Sequence, residues 1–151
     1  MRVTAKADYA VRAMLELAAA DGELITAGAI AEAQGIPRHF LDNILNDLRR
    51  AGLVTTLRGP EGGSRLAQPA KSISLAQVIR AIEGPLAAVR DVRPEALSYD
   101  GPAARLPEVW IAVRAALRGV VERVTIADVA SGRLPRAVER LTADPEAWKS
   151  H

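Results

Sequence analysis

The 151 residues are 49% hydrophobic and 25% charged, with no cysteine, which suits one globular domain, or one domain with an appended helical segment, and excludes disordered, collagen-like and disulfide-built chains. A chain this long buries roughly two thirds of the surface its unfolded form exposes, so it needs no metal or disulfide staple. No apolar run approaches the roughly 20 residues of a membrane span, and Arg2, Lys6, Asp8, Arg12 and Glu16 interrupt the apolar stretch that a signal peptide requires. The expectation is a soluble, cytoplasmic protein without a membrane partner. The lack of cysteine removes thiol nucleophiles and thiolate-ligated metals, and His39 and His151, the only histidines, are too few for an ordinary zinc site. No metal and no cofactor are expected.

The formal net charge is +2, too small by itself to argue for nucleic acid. Its distribution says more, because Arg49, Arg50, Arg58, Arg65 and Lys71 face a single acid, Glu61, between positions 49 and 71. Such a local basic strip is a candidate footprint for nucleic acid, although a solvated charged face is the ordinary alternative.

In chain order, the sequence reads as short helices around one β-hairpin. From about Lys6 to Ala20, Ala7, Val11, Met14, Leu15 and Ala18 recur at helical spacing and the pattern dies at Asp21-Gly22. Thr26 is placed to cap a second, short helix that stops at Gly35. Pro37 opens a third, where a missing N–H costs nothing, with Phe40, Leu41, Ile44, Leu45 and Leu48 as its buried stripe up to Ala51-Gly52.

Opposite that stripe stand His39, Asn43, Asn46 and Arg50, flanked by Asp42 and Arg49. Asn pairs bidentately with adenine and Arg with guanine in a major groove wide enough for a helix. An amphipathic helix with a polar outside has the same pattern, and Asp42 and Asp47 would repel phosphates.

Leu53 to Leu57 reads as a strand, and RGPEGGSRLA, Arg58 to Ala67, as a glycine-rich turn returning into a second strand. Gly59, Gly62 and Gly63 permit positive φ and close approach of the backbone to a partner. Arg58 and Arg65 are placed to reach phosphates or a narrow minor groove. Nucleotide-binding glycine loops have spacings that are absent here. The next helix is sharply bounded, with Ser74 and Gln77 as a capping box, Ile73 and Val78 as a hydrophobic staple, and Gly84-Pro85 as its stop. Val78, Ile79 and Ile82 are expected to pack on the core.

The order of these pieces resembles the IscR/NsrR/CymR family of bacterial winged-helix transcription regulators, the Rrf-two family. The resemblance rests on DYAVRAMLELA (Asp8 to Ala18), IAEAQGIPRHFLDNILNDLRRAGLV (Ile30 to Val54), RGPEGGSRLA and ISLAQVIRAIEGPL (Ile73 to Leu86). It implies a third helix in the major groove, a wing arginine at the minor groove, and a dimer on a palindromic operator. By that resemblance, Arg38, His39, Asn43 and Asn46 are recognition candidates, Arg58 is the wing candidate, and Tyr9 and Thr26 occupy positions that face the DNA backbone.

The proline-rich stretch Pro85 to Pro107 departs from the family, whose iron-, redox- and nitric-oxide-sensing members carry three cysteines there for an iron–sulfur cluster. This segment has none, and such clusters need thiolates. The chain resembles a cluster-free branch, in which Asp8 is a helix-start acid suited to the macrodipole. From Pro107, Trp110, Val113, Leu117, Val120 and Val124 alternate at spacings of three and four, a two-heptad seam accompanied by Val109, Ala116 and Val121. Packing inside one subunit is the ordinary fate of such a stripe; the family uses the corresponding helix to dimerise, and a homodimer is expected. Thr125 with Asp128 reads as a further capping box, and the tail from Leu134 carries no chemical motif.

The expected protein is mainly α with a small β-wing: a winged helix-turn-helix domain (1–84), a linker (85–106), and a dimerisation helix with a tail (107–151). Its expected function is sequence-specific binding of double-stranded DNA as a dimeric repressor; the alternative is a winged helix used only for protein interaction. An enzyme fails on inventory, for there is no GxSxG, HExxH or Cys–His pair. The effector stays open between a small ligand at the linker and a partner enzyme.

Overall fold

The computed structural model describes residues 2–150; His151 lies outside them. Helix α1 (Ala5–Ala19) starts at Thr4, whose hydroxyl accepts the Ala7 N–H at 3.1 Å. It buries Ala7, Ala10, Ala13, Met14 and Leu17, and the three alanines leave room for other helices to approach closely. Thr26 caps α2 (Ala27–Gln34), and Gly35, in the left-handed conformation at φ 61°, ends it, a stop that favours glycine.

Helix α3 (Arg38–Arg50) begins one residue after the expected proline, which serves as its cap. Leu41, Ile44, Leu45 and Leu48 are buried as expected, but Phe40 is 45% exposed. At 3.6 residues per turn, Phe40 lies about a quarter turn from the centre of the stripe, so it falls on the edge of the apolar face. There it meets His39, with ring centroids 4.3 Å apart, and Tyr9 at 6.1 Å.

Strands β1 (Val54–Leu57) and β2 (Gly63–Leu66) form an antiparallel hairpin in the register Val54–Leu66, Thr55–Arg65, Thr56–Ser64 and Leu57–Gly63. Ile25 adds a bridge to its far side, exchanging hydrogen bonds with Ser64 at 2.9 and 2.8 Å. The approach is so close that a Cβ on Gly63 would stand 2.7 Å from the Ile25 carbonyl oxygen, and one on Gly62 would run into the backbone of Leu57 and Arg58. These two glycines therefore serve approach within the chain rather than approach to a partner. Of the three wing glycines only Gly59 has positive φ, at 112°.

Both halves of the Ser74–Gln77 capping box are present at the start of α4 (Leu75–Glu83), with Ile73 and Val78 fully buried. Ile82 packs against the core, as expected. The following segment holds two short 3₁₀ turns, Pro94–Ala96 and Gly101–Ala103, and the first, with Pro94 buried, packs on α5 (Leu106–Val121).

Helix α5 was expected to reach Val124 but stops at Val121. Val124 keeps the heptad spacing yet leaves the seam: it is 3% exposed, and its carbonyl accepts the Leu75 N–H at 2.9 Å. The Thr125–Asp128 box then starts α6 (Ile126–Ser131). Ile126 is fully buried in the central core and donates its N–H to the Ile73 carbonyl at 2.9 Å. The core thus crosses the expected boundaries at 84 and 106, because residues 124–131 return to pack on α1. Helix α7 (Arg136–Thr142) follows, with no residue of its own buried.

Candidate nucleic-acid interface

The exposed side of α3 and the inner side of the wing enclose a cleft of about 320 Å³ whose walls include Asp42, Asn46, Arg49, Thr56, Arg58 and Ser64. Strand alternation explains the composition. Thr56 and Ser64 are cross-strand partners that point into the cleft, so the neighbouring pair Thr55 and Arg65 belongs to the opposite face of the hairpin. Arg58 and Asn46 are therefore brought together, while the exposed Arg65 stands on the outside of the wing.

Arg38, His39, Asn43 and Arg50 are exposed on α3, and Asn46 is half-buried. The Asn46 side-chain oxygen accepts a hydrogen bond from the Arg49 guanidinium at 2.7 Å, which orients both toward the cleft. Arg49 was not among the residues singled out for base or phosphate contact, although it begins the basic strip seen in the sequence. The two acids expected to repel phosphates are both paired: Asp42 with Arg38 at 3.1 Å and Asp47 with Lys6 at 2.8 Å. Exposed pairs of this kind are worth about 0–1 kcal/mol, so exchanging Asp42 for a phosphate costs Arg38 little.

Tyr9 and Thr26 flank this surface. The Arg12 guanidinium lies 5.4 Å from the Tyr9 ring centroid, and Tyr9 in turn leans on Phe40. The Thr26 hydroxyl accepts the Ala29 N–H at 3.2 Å, leaving its own hydrogen for an outside acceptor. Phe40, read from the sequence as core, joins His39 and Tyr9 in an aromatic row at the start of α3. The signal that could have found it was its position at the edge of the helical stripe.

A second surface lies on α5, none of whose residues is buried. Trp110, Val113, Leu117 and Val120 are half-buried, and Val109 and Ile111 are 51% and 38% exposed.

A helix-turn-helix pair braced on a helical core, with a basic hairpin beside its second helix, defines a winged-helix DNA-binding protein. Residues 3–132 match Rrf2, described as iron-dependent transcriptional regulators, and the chain belongs to that family. The candidate HTH-type regulator Rv1287 of Mycobacterium tuberculosis is 51% identical over 151 residues, covering 99% of this chain and 94% of that one. The solved structure of CymR, the global cysteine regulator of B. subtilis, superposes with a TM-score of 0.72 at 33% identity over 87% of this chain and 97% of that one. IscR of T. potens superposes with a TM-score of 0.67 at 29% identity over 100% and 93%. The chain is thus a DNA-binding transcription regulator and not an enzyme.

The family description invokes iron, and the donor set of this chain does not fit an iron–sulfur cluster: there is no cysteine to supply a thiolate. Among the described residues no three His, Asp or Glu side chains converge to replace it. The loop between α4 and α5 presents Arg90, Asp91, Arg93 and Glu95 and no thiolate.

Proposed function

We propose that this protein is a cytoplasmic homodimeric repressor that reads a palindromic operator and works without an iron–sulfur cluster. The observation that carries the reading is the cleft in which Asn46, Arg49 and Arg58 meet between α3 and the wing. Asn43 and Asn46 take base edges in the major groove with His39 and Arg50 beside them, and Arg38 takes phosphate. Arg58 meets a phosphate at the edge of the adjoining minor groove, Arg65 meets the backbone from the outer face of the wing, and Tyr9 and Thr26 meet it beside α3. Two copies pair through the α5 seam formed by Trp110, Val113, Leu117 and Val120. The 51% exposed Val109, at the edge of the seam, supports this pairing, since a 16-residue helix with no buried side chain, about 24 Å long, otherwise leaves an apolar face in water. Dimerisation sets the recognition helices for half-sites about 34 Å apart or a multiple of that.

The test is selection of bound sites from a random duplex library, followed by anisotropy titration of the selected duplex and a scrambled one at fixed salt. The Asn43→Ala/Asn46→Ala variant is expected to lose about 1–3 kcal/mol for each bidentate base contact, with little change on scrambled DNA. Undiminished affinity for the selected site would remove the base-reading role from α3.

A further inference from the structure

We propose that the cleft between α4, α5 and the loop joining them is a binding site for a small polyanion, a molecule carrying two or more carboxylate or phosphate groups. The cleft encloses about 470 Å³, within the range of small-molecule sites, and lies away from the wing. Its walls bring together four arginines from three separate parts of the chain: Arg80 on α4, Arg93 on the loop, and Arg114 and Arg118 one turn apart on α5.

Charge arithmetic shows that internal pairing does not account for them. Glu95 pairs with Arg114, and the single carboxylate of Glu122 is shared by Arg80 and by Arg118, the latter at 2.9 Å. Both glutamates stay ionised at neutral pH, because hydrogen bonds to the backbone and Arg114 lower the Glu95 pKa, and hydrogen bonds to Arg80 and Arg118 lower that of Glu122. Four cations against two anions leave an excess of two positive charges. Arg93 has no carboxylate within 4 Å among the described residues. The Arg114 side chain, held by Glu95, is only 21% exposed, whereas Arg93 is exposed and open to an incoming anion. Like charges four residues apart on a helix oppose folding, and gathering them at one cleft is useful when an anion arrives. Planar guanidinium forks match carboxylate and phosphate oxygens bidentately.

The loop wall is shaped rather than slack. Val89 and Val92 exchange hydrogen bonds at 2.9 Å across a turn whose two central residues, Arg90 and Asp91, both have positive φ (51° and 63°), and Ala87 nearby has φ 55°. Non-glycine residues held in that region are strained and gather at ligand clamps and switch regions. An anion gripped by Arg80 on one side and by Arg114 and Arg118 on the other would tie the winged helix to α5. Its consequence for operator affinity rests on the dimeric reading above, whereas binding itself does not.

The experiment is isothermal titration of the intact protein without DNA, at about 0.15 M ionic strength, with pyrophosphate, inorganic phosphate, citrate and succinate as separate probes. The phosphate and carboxylate arms distinguish the two sources of negative charge. At least one probe is expected to bind with a dissociation constant of about 1 mM or tighter. Its affinity should fall about tenfold or more in Arg93→Gln and in Arg114→Gln, the scale of losing a charged hydrogen-bond partner. Circular dichroism checks that each variant is folded. Arg133→Gln, outside the cleft, should bind as the parent does. No binding by any probe, an equal loss in Arg133→Gln, or a loss of random-duplex binding in Arg93→Gln that assigns these arginines to DNA would overturn the proposal.

Discussion

Replacing Ile126 by alanine tests whether the C-terminal segment belongs to the core of the DNA-reading head. Ile126 is fully buried in the same cluster as Met14, Leu41 and Ile73. Removing three carbons costs about 2.4 kcal/mol in transfer free energy alone; with the cavity left behind, the loss should fall within about 2–5 kcal/mol. The Ile126 N–H stays bonded to Ile73, so the change isolates packing. In urea, with a mid-range slope of about 2 kcal/mol per molar, the midpoint should drop by about 1–2.5 M, measured at one protein concentration because the dimer proposed above would contribute to stability. Leu141→Ala, at a 57% exposed position on α7, should shift stability by no more than about 0.5 kcal/mol. An Ile126→Ala loss no larger than that of Leu141→Ala, or cooperative unfolding of residues 2–106 alone at the parent's midpoint, would place the C-terminal segment outside the core.

Arg58→Ala should weaken operator and random DNA alike and flatten the slope of log affinity against log salt by about 0.9, the share of one phosphate; an unchanged slope would place Arg58 off the backbone. Leu117→Glu with Val120→Glu should give monomers in sedimentation velocity, since like charges would meet in a desolvated, two-fold seam; persistent dimers that still bind the palindrome would move the interface elsewhere. The lowered pKa of Glu122, caused by Arg80 and Arg118, stabilises the fold above the ordinary carboxylate range, and that contribution disappears as pH falls through the lowered value. Parent and Glu122→Gln should therefore differ in melting temperature at pH 7 and converge as the pH falls through that lowered value, as read by calorimetry at low salt; a gap independent of pH would deny the bridge between α4 and α5.

Local chemistry determined much of this protein from sequence alone. The caps at Thr26, Ser74 and Thr125, the stop at Gly35, and the stripe Leu41–Ile44–Leu45–Leu48 all depend on neighbours within one or two turns, and each stands in the structure as read. The polar face of α3 was legible for the same reason, because a helix fixes which residues share a side. Tertiary structure alone decided that Asn46 and Arg58 face one cleft while Arg65 looks away, since that depends on how the wing folds against α3. It also decided that Gly62 and Gly63 are required by the chain's own backbone. Periodicity could not separate Val124 from the α5 seam: the spacing repeats through the end of the helix, but only the return of Ile126 to the core shows where the chain turns. The gathering of Arg80, Arg93, Arg114 and Arg118 was equally hidden, because charges far apart in sequence become one electrostatic site only when helix packing brings them to the same cleft.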